Sequence, residues 1–292
     1  MTVARAALFV ALGIAGVSFA GAFVLGLQRA RRGGERVLPS PWELAVGAFT
    51  NFFDTLGIGS FAPTTTLYRA RREKTVDDRL LPGTLNVGHT IPTFVEAYIF
   101  IDKIEVDPRT LILMIVAATL GALVGAPFVA RLSRSRVQLG MGCALLAVAG
   151  FVVWRQLSIP QDGLKNGLGG AALALAVATN FVLGALMTIG IGLYAPCLVL
   201  VSLLGMSPKA GFPIMVGSCA FLQAFGSIQF IRRKSFAPAA SLGLSLGGVP
   251  AVLVAAFIVK ELPLYWAKWL VAGVIVYTGL TLLRAGSRRA TP

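Results

Sequence analysis

Charge is scarce in this chain. Only 13% of its 292 residues are Asp, Glu, Lys or Arg, about half of the roughly 25% usual in soluble domains. There is a single histidine, and there are three cysteines. With 56% of the residues hydrophobic, a water-soluble fold would have to hide more apolar surface than a domain of this size can bury. A lipid bilayer is the simpler solvent. The cysteines, Cys143, Cys197 and Cys219, lie in apolar stretches without CxxC or metal-ligand spacing, so no disulfide, metal site or cofactor is expected. Cys143 reads as a packing residue, whereas Cys197 and Cys219 sit beside the candidate site described below.

The charge that is present is lopsided: 26 basic against 12 acidic residues, a net +14. Such an excess raises the question of a nucleic-acid partner, and its placement answers it. The bases fall in short runs between long apolar segments: Arg29 to Arg36, Arg69 to Arg79, Arg131 to Arg136, Arg232 to Lys234 and Arg284 to Arg289. That is the pattern of cytoplasmic loops in a membrane protein, and little soluble chain is left to build a basic face. The expected partners are the bilayer and a small anion, with no nucleic acid; a homo-oligomer stays open.

The apolar segments are 6–27, 42–67, 80–101, 109–130, 137–157, 168–204, 210–231, 237–259 and 264–283. Most are of the length that one helix needs to cross, at about 1.5 Å per residue. Segment 6–27 is too long for a signal-peptide core and has its bases mainly on the C-terminal side, so it reads as a membrane anchor. Two segments are irregular: 42–67 contains Gly57, Gly59 and Pro63, and 168–204 is over-long and contains Gly190, Gly192 and Pro196. The basic runs on either side of 42–67 both belong in the cytoplasm, so this segment should enter and return as a re-entrant hairpin. With 168–204 as a second hairpin, alternation of the remaining segments puts every strongly basic run, and the C-terminus, on the cytoplasmic side.

An internal repeat supports this count. Thr55-Leu-Gly-Ile-Gly-Ser-Phe-Ala-Pro63 matches Thr188-Ile-Gly-Ile-Gly-Leu-Tyr-Ala-Pro196, 133 positions on, and Pro82-Gly-Thr-Leu-Asn-Val-Gly-His89 aligns with Gly211-Phe-Pro-Ile-Met-Val-Gly-Ser218. The expected architecture is all-α and polytopic: an N-terminal anchor with its basic loop over 1–38, a first transport repeat over 39–158 and a second over 166–286. Each repeat holds one broken hairpin and three crossings. An odd number of crossings inverts the second repeat, a common plan among secondary transporters. The paired Gly-x-Gly-x-x-x-Pro motifs, each followed by a helix of small and polar residues, resemble the TauE/SafE family of sulfite and organosulfur exporters over about residues 40–285. The resemblance implies a bacterial cytoplasmic-membrane protein that exports sulfite, sulfoacetate or related anions and is not an enzyme.

The residues themselves suit an anion. Gly57 and Gly59 permit a sharp turn that presents backbone N–H groups, Ser60 is placed as an N-cap, and Pro63 fits the first turn of the returning half-helix. The start of that half-helix carries a partial positive charge. The second hairpin offers a matching start near Tyr194. The candidate contacts are Thr55, Gly57, Gly59, Ser60, Asn86 and His89 in the first repeat, and Thr188, Gly190, Gly192, Tyr194, Ser218 and Gln223 in the second. Close helix packing is the alternative reading of the glycines, against which stands the duplicated proline, for which packing has no need; interhelical hydrogen bonding explains Asn86, Ser218 and Gln223 as readily as substrate contact does. His89 is either a packing histidine or a proton carrier. Asp54 is a second coupling candidate, placed to pair with His89, bind an ion or orient the loop. Glu43, Glu96 and the tryptophans read as interfacial residues.

Two rival readings remain at this stage. An importer or anion channel would share the architecture. An intramembrane serine hydrolase would join Ser60 to His89, but Gly-Ile-Gly-Ser-Phe-Ala lacks a G-x-S-x-G frame and the repeat has Leu193 in place of Ser60.

Overall fold

The computed structural model describes residues 3–70, 76–77, 79–129, 133–158, 165–187, 192–261 and 263–287. Among these the regular elements are all helical, with one isolated bridge between Lys165 and Met206, and the bases Arg71, Arg72, Lys74 and Arg131 fall outside them. The helices are α1 (Val3–Arg32), α2 (Pro41–Thr55), α3 (Phe61–Ala70), α4 (Leu81–Lys103), α5 (Pro108–Val129), α6 (Arg134–Ser158), α7 (Gly170–Met187), α8 (Tyr194–Leu203), α9 (Gly211–Arg232), α10 (Pro238–Glu261) and α11 (Leu264–Ser287). A short 3-10 turn, Pro208–Ala210, precedes α9.

Among the described residues four stretches are long and apolar enough to cross a membrane: Val3–Arg32, Gly170–Met187, Pro208–Arg232 and Pro238–Val259. Their exposed surface is itself apolar, with Val10, Ile14, Val17, Val254 and Phe257 all more than half exposed. In water this would be a large unfavourable patch, and in lipid it is the normal outer face. The chain is a helical membrane protein. α4 is as long as a crossing but carries Asn86, His89, Thr90, Thr93 and Glu96, which interrupt its apolar sequence.

Residues 41–70 form two helices whose termini are set locally. Ser40 caps α2: its hydroxyl accepts from the Glu43 N–H at 3.3 Å, its own N–H donates to Glu43 Oε2 at 2.7 Å, and Pro41 takes the first helical position. At the other end Gly57 adopts φ +96°, with its N–H on the Asp54 carbonyl at 2.7 Å and the Ile58 N–H on the Phe53 carbonyl at 3.1 Å. These two bonds are a Schellman closure, which satisfies the last carbonyls of α2 and needs a left-handed residue at Gly57. Gly59, at φ +87°, then turns the chain into α3. Val46 near the start of α2 and Tyr68 near the end of α3 belong to one buried cluster with Leu81, Leu85, Ala240 and Leu244. The outer ends of the pair are therefore neighbours, and α2 and α3 make a hairpin.

Two compact units are present. The first comprises Met1–Lys103 and Cys219–Lys260. In it α1 lays Phe19 and Phe23 against Val87 of α4, Ala224 and Ile231 of α9, and Phe236. α2 meets α10 backbone to backbone: a Cβ on Gly47 would lie 2.7 Å from the Gly243 carbonyl oxygen, and one on Gly247 would lie 2.0 Å from that of Leu44. The second unit comprises Ile104–Ser218 and Glu261–Pro292. Here α5 and α7 approach in the same manner, Gly121 on the Phe181 carbonyl and Gly184 on the Ala118 carbonyl, while α6 packs on α11 through Gly142 with Leu283 and Gly279 with Leu146. Each unit thus packs the first helix of one hairpin against a helix from the other half of the sequence.

Glu43 corrects an expectation. It is fully buried rather than interfacial. Its carboxylate closes the capping box and receives both terminal nitrogens of Arg36, Nη1 at 2.9 Å on Oε2 and Nη2 on Oε1. The hydrogen bonds to Glu43 hold the Arg36 guanidinium above its ordinary pKa, against the smaller, opposite effect of burial. A planar fork meeting a carboxylate side-on is the geometry that makes such a pair strong.

Candidate functional site

Helical spacing places His89, Thr93 and Glu96 on one face of α4. All three are buried with no exposed surface, as are Asn51 and Thr55 of α2 and Thr64 of α3. Buried polar groups have to be paired, at about 1–3 kcal/mol for each one left unsatisfied, and here they pair with one another. His89 Nδ1 lies 2.9 Å from Asn51 Oδ1, and His89 Nε2 lies 3.1 Å from Thr64 Oγ1. Thr55 Oγ1 reaches Glu96 Oε1 at 2.7 Å. Thr93 Oγ1 donates to Gln223 Oε1 of α9 at 3.3 Å, and Thr90 Oγ1 meets Ser227 Oγ at 2.9 Å. From α10, Ser245 Oγ donates to the Gly88 carbonyl at 2.8 Å. The hairpin, α4, α9 and α10 are thereby joined through a polar interior in the first unit.

The partners determine the histidine tautomer. Asn51 Nδ2 donates to the carbonyls of Gly47 at 2.7 Å and Leu244 at 3.4 Å, so Oδ1 is the atom turned to His89. An amide oxygen only accepts, so Nδ1 carries the proton. In the neutral ring Nε2 is then an acceptor, and the Thr64 hydroxyl beside it divides its one proton between Nε2 at 3.1 Å and the Ser60 carbonyl at 2.8 Å. The Phe61 ring covers the imidazole, centroid to centroid 5.8 Å.

Asp54 does not pair with His89 here. Its carboxyl group faces the hydroxyl and the backbone N–H of Ser60, across the glycine turn. The start of α3 is therefore already met by one of the protein's own carboxyl groups, at the place where the helix dipole favours negative charge. The turn is also less open than its glycines imply. The N–H groups of Gly57 and Ile58 close α2, and that of Ser60 serves Asp54. The first-turn N–H groups left without an intrahelical acceptor belong to Phe61 and Ala62, because Pro63 has none and that of Thr64 reaches the Ser60 carbonyl at 3.0 Å. With both ring nitrogens of His89 engaged by Asn51 and Thr64, the Ser60 hydroxyl lies beside Asp54 rather than beside the imidazole.

Of the residues singled out from the sequence, Thr55, Ser60, His89 and Gln223 belong to this one network. Asn86 does not join it: it is half-buried and donates back to the Pro82 carbonyl at 2.9 Å. Glu96, expected to reach the interface, is buried on Thr55 instead. In the second unit Tyr194 is the buried first residue of α8 and Gly192 precedes it. Ser218 Oγ accepts from Asn180 Nδ2 at 3.2 Å, and the same nitrogen donates to the Met114 carbonyl at 2.7 Å. Thr188 and Gly190 lie outside the described residues. Sequence reasoning passed over Asn51, Thr64, Glu96 and Asn180. Asn51 stands one helical turn before Thr55, and Asn180 interrupts an apolar run, so spacing and polarity were signals for both.

No protein-family model, curated protein or solved structure matches this chain. Fold and site define a helical membrane protein with a buried, fully connected polar face. Polar interiors in membrane proteins mark either helix association or a solute path.

Proposed function

We propose that this chain is a secondary carrier that exports small sulfur oxyanions, such as sulfite or sulfoacetate, across the bacterial cytoplasmic membrane by alternating access. This is the activity implied by its resemblance to the TauE/SafE exporters. The observation that carries the reading is a coincidence of sequence repeat and helix start. Phe61 and Tyr194, 133 positions apart in the duplicated motif, each open a helix of 10 residues. Each short helix follows a longer one and precedes three long ones, as two inverted broken-helix repeats require. Glycines chosen for packing alone have no reason to recur with a proline at the same distance.

In this reading an oxyanion binds at the start of α3, where Ser60 and the amides of Phe61 and Ala62 face it, with His89 and Thr55 bounding the site. Asp54 holds that place in its absence and turns away, or becomes neutral, when the anion arrives. The inside-negative membrane potential favours exit of an anion by about 2.3 kcal/mol per charge per 100 mV. The test is flux of sulfite and sulfoacetate in proteoliposomes. Saturable uptake stimulated by counter-substrate is expected; no flux of either anion, or of a panel of small sulfonates, sinks the proposal, and flux without counterflow makes the protein a channel.

A further inference from the structure

The Thr55 hydroxyl has one proton and two claimants. Its oxygen lies 2.8 Å from the Asn51 carbonyl, one turn back on α2, and 2.7 Å from Glu96 Oε1 on α4. A hydroxyl donates once and accepts twice. If Glu96 is ionised, Thr55 donates to it, and the Asn51 carbonyl keeps its ordinary helical partner. If Glu96 is protonated, the carboxyl donates to Thr55, and Thr55 donates back to Asn51. Both states leave every one of these buried atoms bonded, and exchange between them needs only a hydroxyl rotation. An acid buried within a membrane segment points to ion or proton handling, and Thr55 gives this one a bonded partner in either charge state.

We infer that Glu96 is the proton-carrying residue of this protein, and that the charge it gains or loses is felt at the glycine turn through Thr55. The inference rests on the carrier reading for its consequence, because Thr55 is the last residue of α2 before that turn. An ionised Glu96 places negative charge beside an anion site, and its protonation removes that charge. Anion binding and proton binding therefore favour each other, and a proton travels with the anion. A dianion accompanied by one proton still leaves with one net negative charge, so the membrane potential continues to drive exit.

The helices of the first unit carry their ionisable side chains at a limited set of positions. α2 supplies Asp54, adjacent to Thr55, and Glu43, which is tied to Arg36. α3 supplies Tyr68 and, at its end, Arg69, and α4 itself supplies His89, Tyr98 and, at its end, Asp102 and Lys103. α9 brings the thiol of Cys219 along with the neutral Gln223. On α1 and α10 ionisable side chains occur only towards the helix ends, as at Arg5, Arg29, Lys260 and Glu261.

Infrared difference spectroscopy on the detergent-solubilised protein tests this without any substrate. Stepping from about pH 9 to about pH 4, the range that spans a buried carboxyl, should raise a protonated-carboxyl band that is lost in Glu96→Gln and kept in Asp54→Asn. Thr55→Val should shift that band, and Thr55→Ser should restore it. In weakly buffered solution, sulfite or sulfoacetate should draw in about one proton per anion bound, the positive linkage expected of coupled sites, and this uptake should vanish in Glu96→Gln. A carboxyl band indifferent to Glu96→Gln overturns the inference, as does a Thr55→Val band at the wild-type position. If Glu96→Gln fails to fold, the Thr55 pair decides. Should neither anion bind while the band behaves as stated, the sulfur-anion reading fails and the proton site stands.

Discussion

His89 Nδ1 donates to Asn51 Oδ1 across 2.9 Å, and this one contact ties the middle of α4 to the hairpin. It is directional because Asn51 spends its amide nitrogen on the carbonyls of Gly47 and Leu244. The same asparagine thus holds α2 to α4 and to α10, and the imidazole has no freedom to choose its tautomer.

Replacing His89 with Phe should unfold the protein more easily. It leaves Asn51 Oδ1 without its partner, at about 1–3 kcal/mol for a buried group that stays unsatisfied, while the Thr64 hydroxyl keeps the Ser60 carbonyl. A lowered thermal midpoint in detergent is expected, and an unchanged midpoint would contradict the network. Since His89 is the only histidine, its imidazole nitrogen resonances are unambiguous, and they should show the Nδ1–H form at neutral pH.

Lys234 is the one described non-glycine residue at positive φ, at +53°. It closes α9, with its N–H on Ile231 and that of Ser235 on Phe230. A side chain in this left-handed position costs about 1–2 kcal/mol. Lys234→Gly should therefore raise the thermal midpoint, and no gain would mean that the lysine makes a compensating contact.

The α5–α7 contact should not tolerate a methyl group. In Gly184→Ala the new Cβ would lie 2.0 Å from the Ala118 carbonyl oxygen, and the two backbones must part, at about 1–3 kcal/mol or more. Gly140→Ala is the matched control, because nothing lies within 4 Å of its Cβ and an alanine is the better helix former by about 0.5–1 kcal/mol. Folded yield and midpoint should fall in the first and hold or rise in the second.

Gly59→Ala separates turn from packing. Its Cβ would meet nothing within 4 Å, yet φ is +87°, so the substitution strains the turn without a clash. Transport of sulfite or sulfoacetate should fall several-fold while the protein still reaches the membrane. Equal transport at equal expression would show that the turn geometry is not used.

The membrane class and the broken segment 42–67 were legible because lipid imposes simple rules. Twenty apolar residues make a crossing, and glycine with proline inside such a run marks an interruption. The Schellman closure at Gly57 and the capping box at Ser40 are also local, and their residue types announce them. Glu43 and Glu96 were misread for one reason: position along a helix says how near an end a residue lies, not what stands opposite it.

What only the tertiary structure decided is pairing. Arg36 makes Glu43 a buried acid, Ser60 takes Asp54 away from His89, and Thr55 meets Glu96 across 41 positions of sequence. A buried polar atom takes whichever partner the packing brings within about 3 Å. The glycines at Gly47, Gly121, Gly184 and Gly247 set how closely the helices approach. Spacing along one chain cannot encode a distance between two helices, and on that distance the site depends.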